Sequence, residues 1–254
     1  LDRFSDILNE PEIEALLSLQ DQPLPTGIRL NPQKCDPQPA IKDLSTRYGW
    51  QIEPVRFCEN GWIIHESDTS PGKTIEHRMG LYYLQDAASM VPVSLFSISN
   101  SNPLVLDLAS SPGGKATHLI DRTEDKGFIL TNDASTGRIP ALRSVLTTWG
   151  GVNQVITQYP GENFGRWFPE TFDRILLDAP CTMESLRPNP NHPARSTTSD
   201  ERLRLQARQI ELLVSGLCAL KTGGEMVYAT CSLAPEEDEA VLDAAMHAYP
   251  DIFS

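Results

Sequence analysis

"LDLASSPGGKATH", residues 106–118, is the stretch on which the reading of this 254-residue chain turns. The apolar run "PLVLDLA" at 103–109 has the length of a short buried strand. It passes straight into Pro112-Gly113-Gly114, and a helical pattern begins near residue 115. Glycines at such a turn let the backbone approach a ligand closely, and the first turn of the helix offers unpaired N–H groups. Two familiar nucleotide loops are excluded. A Walker A loop needs Gly in place of Ala109 and Ser or Thr in place of Ala116, and no GxGxxG is present. A purely structural turn remains open as the alternative.

Outward from this turn the pattern repeats. "GFILTND" (127–133), "NQVIT" (153–157), "FDRILLD" (172–178) and "EMVYAT" (225–230) read as four further strands. Helices are expected at 137–150, at 199–224 with Ser199 as cap and Gly223 as stop, and at 234–249. Alternating strand and helix predict an α/β fold with a mostly parallel, doubly wound sheet, which binds ligands at the carboxyl ends of its strands. Asp133 closes the second strand 20 positions after Gly113, where such sheets place a carboxylate on ribose hydroxyls. A helix N-cap is its plainer role, and the two can coexist.

Upstream the texture differs. Residues 5–20 carry Ile7, Leu8, Ile13, Leu16 and Leu17 at helical spacing. Short strands at 26–32 and 62–65 and a helix at 39–49 follow, among many prolines. This predicts a small α+β domain over 1–78 and a second domain over 79–254.

Composition narrows the function classes. The net charge of −13 argues against a nucleic-acid partner, but its distribution softens that. Residues 1–28 hold six acids and one base, and residues 232–254 six acids and no base. The middle is nearly neutral, and Arg187, Arg195, Arg202, Arg204 and Arg208 crowd one stretch, either an RNA-facing surface or a solvated helix face. No apolar run approaches the ~18 residues of a membrane span, and no signal peptide is recognisable. Cysteines at 35, 58, 181, 218 and 231 form no CxxC pair, which argues against a metal centre or disulfide framework and fits a reducing cytoplasm. Cys218 reads as a core residue of its helix.

Two thiols stand apart from the rest. Cys181 in "LLDAPC" follows the fourth strand and Cys231 in "YATCSL" the fifth, so both belong at the ligand edge of the sheet. A thiolate that adds to carbon 6 of cytosine makes carbon 5 nucleophilic, and a second polar group can help release the adduct. Six segments then agree with one family: "IRLNP" (28–32), "YYLQDAASMVPV" (82–93), "DLASSPGGKATH" (107–118), "NDASTGRIPALR" (132–143), "LLDAPC" (176–181) and "LKTGGEMVYATCSLAPEEDEAV" (220–241). In that order the chain resembles the Nop/Sun family of RNA cytosine carbon-5 methyltransferases, including its bacterial Sun-like members that act on 16S ribosomal RNA.

The resemblance implies a Rossmann-like S-adenosylmethionine-dependent methyltransferase fold behind an N-terminal RNA-binding domain. It implies Cys231 as nucleophile, Cys181 as the group assisting release, and Asp178 beside cofactor and target base. S-adenosylmethionine would be bound by Ala109, Ser110, Ser111, Pro112, Gly113, Gly114 and Lys115, with Asp133, Arg138 and Asp178. Arg29 is expected to assist RNA binding. The implied partner is RNA, ribosomal in preference to transfer RNA, for a monomeric cytoplasmic enzyme without metal.

Three departures from the pattern carry expectations of their own. Thr182-Met183-Glu184-Ser185 replaces Ser-Gly-Glu-Gly, which predicts altered loop geometry. Pro160 stands where the family has an adenine-contacting Asp. The sheet is expected to lack its last two strands. These departures keep a non-catalytic RNA-binding or assembly protein open as the alternative.

Overall fold

The computed structural model describes residues 8–20, 24–97, 102–183 and 197–250. Arg187 and Arg195 of the basic stretch, and Glu184 and Ser185, lie outside them. Helix α1 (Glu10–Gln20) forms as its spacing predicts, yet Leu16, Leu17 and Leu19 on it are exposed. Strand β1 (Thr26–Leu30) leads to α2 (Pro37–Tyr48), where Asp36 accepts the N–H of Gln38 and Pro37 opens the first turn. Then come β2 (Gln51–Pro54), β3 (Gly61–Glu66), the single turn α3 (Ile75–Arg78), β4 (Tyr82–Leu84) and α4 (Ala87–Ser94).

The first four strands make an antiparallel sheet in the order β2-β3-β1-β4. Its core is Ile28, Leu30, Ile41, Leu44, Trp50, Trp62, Ile64 and Tyr82. The first unit therefore extends past residue 78: β4 pairs with β1, Ile28 opposite Leu84 and Leu30 opposite Tyr82. A three-residue strand is too short to show a period, and its pairing is with a strand about fifty residues away.

The second sheet is fully parallel in the order β7-β6-β5-β8-β9. It comprises β5 (Leu104–Asp107), β6 (Phe128–Asn132), β7 (Gln154–Thr157), β8 (Phe172–Asp178) and β9 (Leu220–Ala229). Between them lie α5 (Gly114–Arg122), α6 (Ile139–Trp149), the short α7 (Phe164–Trp167) and α8 (Ser199–Ala219), with α9 (Glu239–Ala248) after β9. Successive strand residues face opposite layers, as pleating requires. Val105 and Leu176 pack with Leu119, Leu142 and Leu146 of α5 and α6. Leu106, Ile175 and Leu177 pack with Leu212, Leu213 and Val241 of α8 and α9.

Three local expectations change. Thr198, not Ser199, caps α8 by accepting the N–H of Glu201. That helix ends at Ala219, and Gly223 sits instead where the β8–β9 register shifts, with Leu220 opposite Phe172 and Glu225 opposite Arg174. Cys218 is exposed, because the buried face of α8 runs through Leu212, Leu213, Gly216 and Ala219.

The two units dock through Arg29, which is fully buried. Its guanidinium pairs with Asp121, donates to Thr117 Oγ1 and to Gly114 O (3.1 Å), and stacks on Trp149 at 4.7 Å, while Nε donates to Gln85 Oε1 (3.1 Å). Arg29 thus cannot reach RNA; five partners inside the protein consume it. Among the described residues no helix is long and apolar enough to cross a membrane, and no cluster of three or more His, Cys, Asp or Glu could hold a metal.

Candidate active site

The turn from β5 into α5 begins with a fixed backbone. Ser110 N–H donates to Asn132 O (2.8 Å), and Ser111 N–H to Asp133 Oδ2 (3.2 Å). Gly113 has φ +112°, a conformation that favours glycine. At Gly114 a Cβ would lie 2.8 Å from the Tyr83 ring, so the first unit closes directly over the turn. Between them lies a cavity of about 210 Å³ lined by Tyr83, Asp86, Asp107, Ala109, Ser110, Pro112, Gly114, Lys115 and Asp178, among others.

Six of the ten expected cofactor residues therefore reach this wall: Ala109, Ser110, Pro112, Gly114, Lys115 and Asp178. Ser111, Gly113, Asp133 and Arg138 do not; they brace the turn. Asp133 is buried, with Oδ1 accepting the N–H of Ser135 (2.9 Å) and Oδ2 facing Ser111 N and Arg138 (3.6 Å). Arg138 also donates to Ser111 O. Asp133 is not the helix N-cap of its plainer reading, since Arg138 holds that position in α6; it accepts instead from the backbone of Ser111 and Ser135.

Asp107 was not singled out from sequence. It is fully buried, and its carboxylate oxygens make no well-formed hydrogen bond among the described residues, although Ser110 and the Ala109 backbone lie close enough to favour its charged form. Burial pushes its pKa up to about 7. An Asp closing an otherwise apolar strand at the ligand edge was the available signal. A carboxylate so placed on the wall of a cavity suits a cationic ligand.

Asp178 and Lys115 form an ion pair at 2.7 Å where this cavity meets a second one. The second holds about 570 Å³, and both units wall it: Leu24, Gly27, Ile63 and Asp86 on one side, Thr230, Cys231, Ser232 and Leu233 on the other. Residues 178 and 229 are register partners on β8 and β9, so Cys181 and Cys231 leave neighbouring strand ends together. Their sulfurs are 3.0 Å apart. With Cys231 donating, the shared hydrogen bond pulls the Cys181 pKa down and pushes that of Cys231 up, and burial adds to the second shift. The first proton to leave the pair is therefore that of Cys181, and the one that stays is shared between the two sulfurs.

Pro160, after β7, caps the one-turn helix Gly161–Asn163 and brings no carboxylate to the site. Met183, two residues after Cys181, has φ +58° where the resembled pattern has glycine.

Strand order and the turn into α5 define a Rossmann-like fold of the methyltransferase type. A methyltransferase homolog from Pyrococcus horikoshii superimposes with a TM-score of 0.84 at 32% identity, covering 97% of this chain and 77% of that one. NSun6 from the same organism, solved with SFG, shares the fold: TM-score 0.83, 18% identity, 97% and 86% covered. The model described as "16S rRNA methyltransferase RsmB/F" matches residues 95–253, and that for the N-terminal domain of 16S rRNA methyltransferase RsmF matches residues 1–87. The chain belongs to the 16S rRNA methyltransferase RsmB/F family. Ribosomal RNA small subunit methyltransferase F of Pectobacterium carotovorum subsp. carotovorum is 37% identical over 258 residues, covering 99% of this chain and 53% of that protein. Its namesake in Shigella dysenteriae serotype 1 is 37% identical over 245 residues, covering 95% and 51%. The chain thus spans about half the length of these curated relatives.

Proposed function

We propose that this chain methylates carbon 5 of a cytosine in small-subunit ribosomal RNA, using S-adenosylmethionine, through a covalent bond to Cys231. The observation that carries this reading is the 3.0 Å pair of Cys181 and Cys231, with Cys231 on the wall of the larger cavity. We take the smaller cavity as the cofactor site, since the Asp178 carboxylate on its wall suits a cationic ligand and Gly114 brings the backbone close. When bound there, S-adenosylmethionine supplies an electrophilic methyl group.

The chain's residues do the rest. Cys231 gives up its proton to water as its sulfur bonds carbon 6 of the base. The displaced electron pair makes carbon 5 nucleophilic. After methyl transfer, deprotonated Cys181 takes the carbon 5 proton, which re-forms the ring double bond and returns the C–S pair to Cys231. Cys181 assists this last step. Asp178, neutralised by Lys115 and shared by both cavities, is placed to accept from the cytosine amino group. The first unit contributes the far wall and holds the RNA. Arg208 is tied to Glu162 at 2.9 Å on the surface, so the basic stretch along α8 is partly neutralised within the chain.

The test is methyl transfer from labelled S-adenosylmethionine to small-subunit ribosomal RNA. Cys231→Ala should lower transfer by roughly a thousandfold or more. Cys181→Ala should trap an RNA–protein adduct that survives denaturing gels. Retained activity in Cys231→Ala would overturn the assignment.

A further inference from the structure

The two thiol loops are tied together by a segment outside both. That segment, just after β9, is the turn Pro235–Asp238, a one-turn helix at Pro235–Glu237 followed by Asp238. Glu237 is fully buried, and no cation pairs with it among the described residues. Its carboxylate instead accepts from one residue of the Cys181 loop. Thr182 N–H donates to Oε1 (3.0 Å) and Oε2 (3.3 Å), and the Thr182 hydroxyl donates to Oε2 (2.7 Å). The next side chain grips the other loop: Thr230 Oγ1 donates to Asp238 Oδ1 (2.7 Å).

The brace closes on itself. Ser232 N–H donates to Thr230 Oγ1 (3.1 Å), and the Thr182 and Ser232 hydroxyls are 3.4 Å apart. Tyr228 OH donates to Glu237 O (2.7 Å), tying the turn to β9. On the other flank of Cys181, Gln209 Nε2 donates to Pro180 O (2.8 Å). Both neighbours of each cysteine are therefore engaged in or beside this network. Burying a carboxylate without a counter-cation is costly, and this one directs all its hydrogen bonds to the residue beside Cys181.

We propose that Glu237 is a positioning residue that sets Cys181 against Cys231, so that losing it slows release of the methylated RNA and spares formation of the covalent bond. The inference rests on the roles given to the two cysteines above. Glu237 touches neither sulfur. It acts through Thr182, as Asp238 acts through Thr230.

The experiment compares Cys181→Ala, Glu237→Gln and the double variant in the full chain, following the adduct fraction on denaturing gels, single-turnover methyl transfer and multiple turnover. Glu237→Gln keeps the size of the side chain but replaces one acceptor oxygen with a donor. We expect turnover to fall roughly tenfold, as for loss of a hydrogen bond to a charged group, with single-turnover transfer changed less than about twofold and the adduct fraction raised. The double variant should hold no more adduct than Cys181→Ala alone. If Glu237→Gln unfolds, Thr182→Ala tests the same link, and Thr182→Ser, which keeps the hydroxyl, should hold less adduct than Thr182→Ala. The proposal is overturned if the Glu237 or Thr182 variants lose transfer and adduct in equal proportion, or behave as the parent, while Cys181→Ala still traps adduct. If Cys181→Ala traps none, the release role of Cys181 fails, and the inference with it.

Discussion

At Asp107 a carboxylate without a well-formed hydrogen bond sits beside the Lys115–Asp178 pair. Burial lifts its pKa to about 7, with Asp178 pushing the same way and Ser110, Lys115 and the Ala109 backbone opposing. The native state therefore holds a proton that the unfolded chain releases near its ordinary value of 3.8, so this residue costs stability increasingly as pH rises from there through 7. Binding of a cationic cofactor runs the other way, since it favours the ionised form. Affinity for S-adenosylmethionine should fall as pH drops from 8 to 6, and Asp107→Asn should both weaken binding and flatten that dependence, read by calorimetry. Met183 makes a second case. A side chain at φ +58° costs on the order of 1 kcal/mol, so Met183→Gly should raise the melting temperature slightly. Met183 thus keeps the positive φ that a glycine there would favour, and Glu184 and Ser185 of "TMES" lie outside the described residues.

Among elements, the turn into α5 is the sharpest test. Gly113 combines φ +112° with side chains of Leu142 and Val145 only 3.1 Å from where a Cβ would stand. Gly113→Ala should cost roughly 1–3 kcal/mol and weaken cofactor binding, measured by denaturant unfolding and calorimetry; an unchanged midpoint would contradict this. The five parallel strands were legible because each is a compact apolar run followed by a turn signal. β2 and β4 were not, since four and three residues carry no period and exist only by pairing with β3 and β1. The end of α8 was misplaced for a related reason: Gly223 is a genuine turn signal, but it serves a register shift in β9 and not a helix stop.

For the whole molecule, the Arg29–Asp121 pair joins the two units. Burial raises Asp121 to about 7 even with Arg29 pulling it down. Arg29→Met leaves that carboxylate without its cation and should destabilise the chain by about 3–5 kcal/mol at pH 8. Protonation of Asp121 offsets part of this loss, so the gap to the parent should narrow near pH 5.5 in unfolding experiments. A gap that widens toward acid would reverse the sign of the argument.

The sequence by itself determined the alternation of strands and helices, the glycine turn, and the two cysteines that follow neighbouring strands, because those depend on local period and on residue type. Tertiary structure alone decided that Arg29 is a buried clamp instead of an RNA contact, that Asp133 braces a turn, that Asp107 lines the cavity without a well-formed hydrogen bond, and that Glu237 grips Thr182. Each of those depends on a partner 22 to 92 residues away or on the absence of one. Periodicity is written along the chain, whereas the satisfaction of a buried polar group is settled only when distant segments meet.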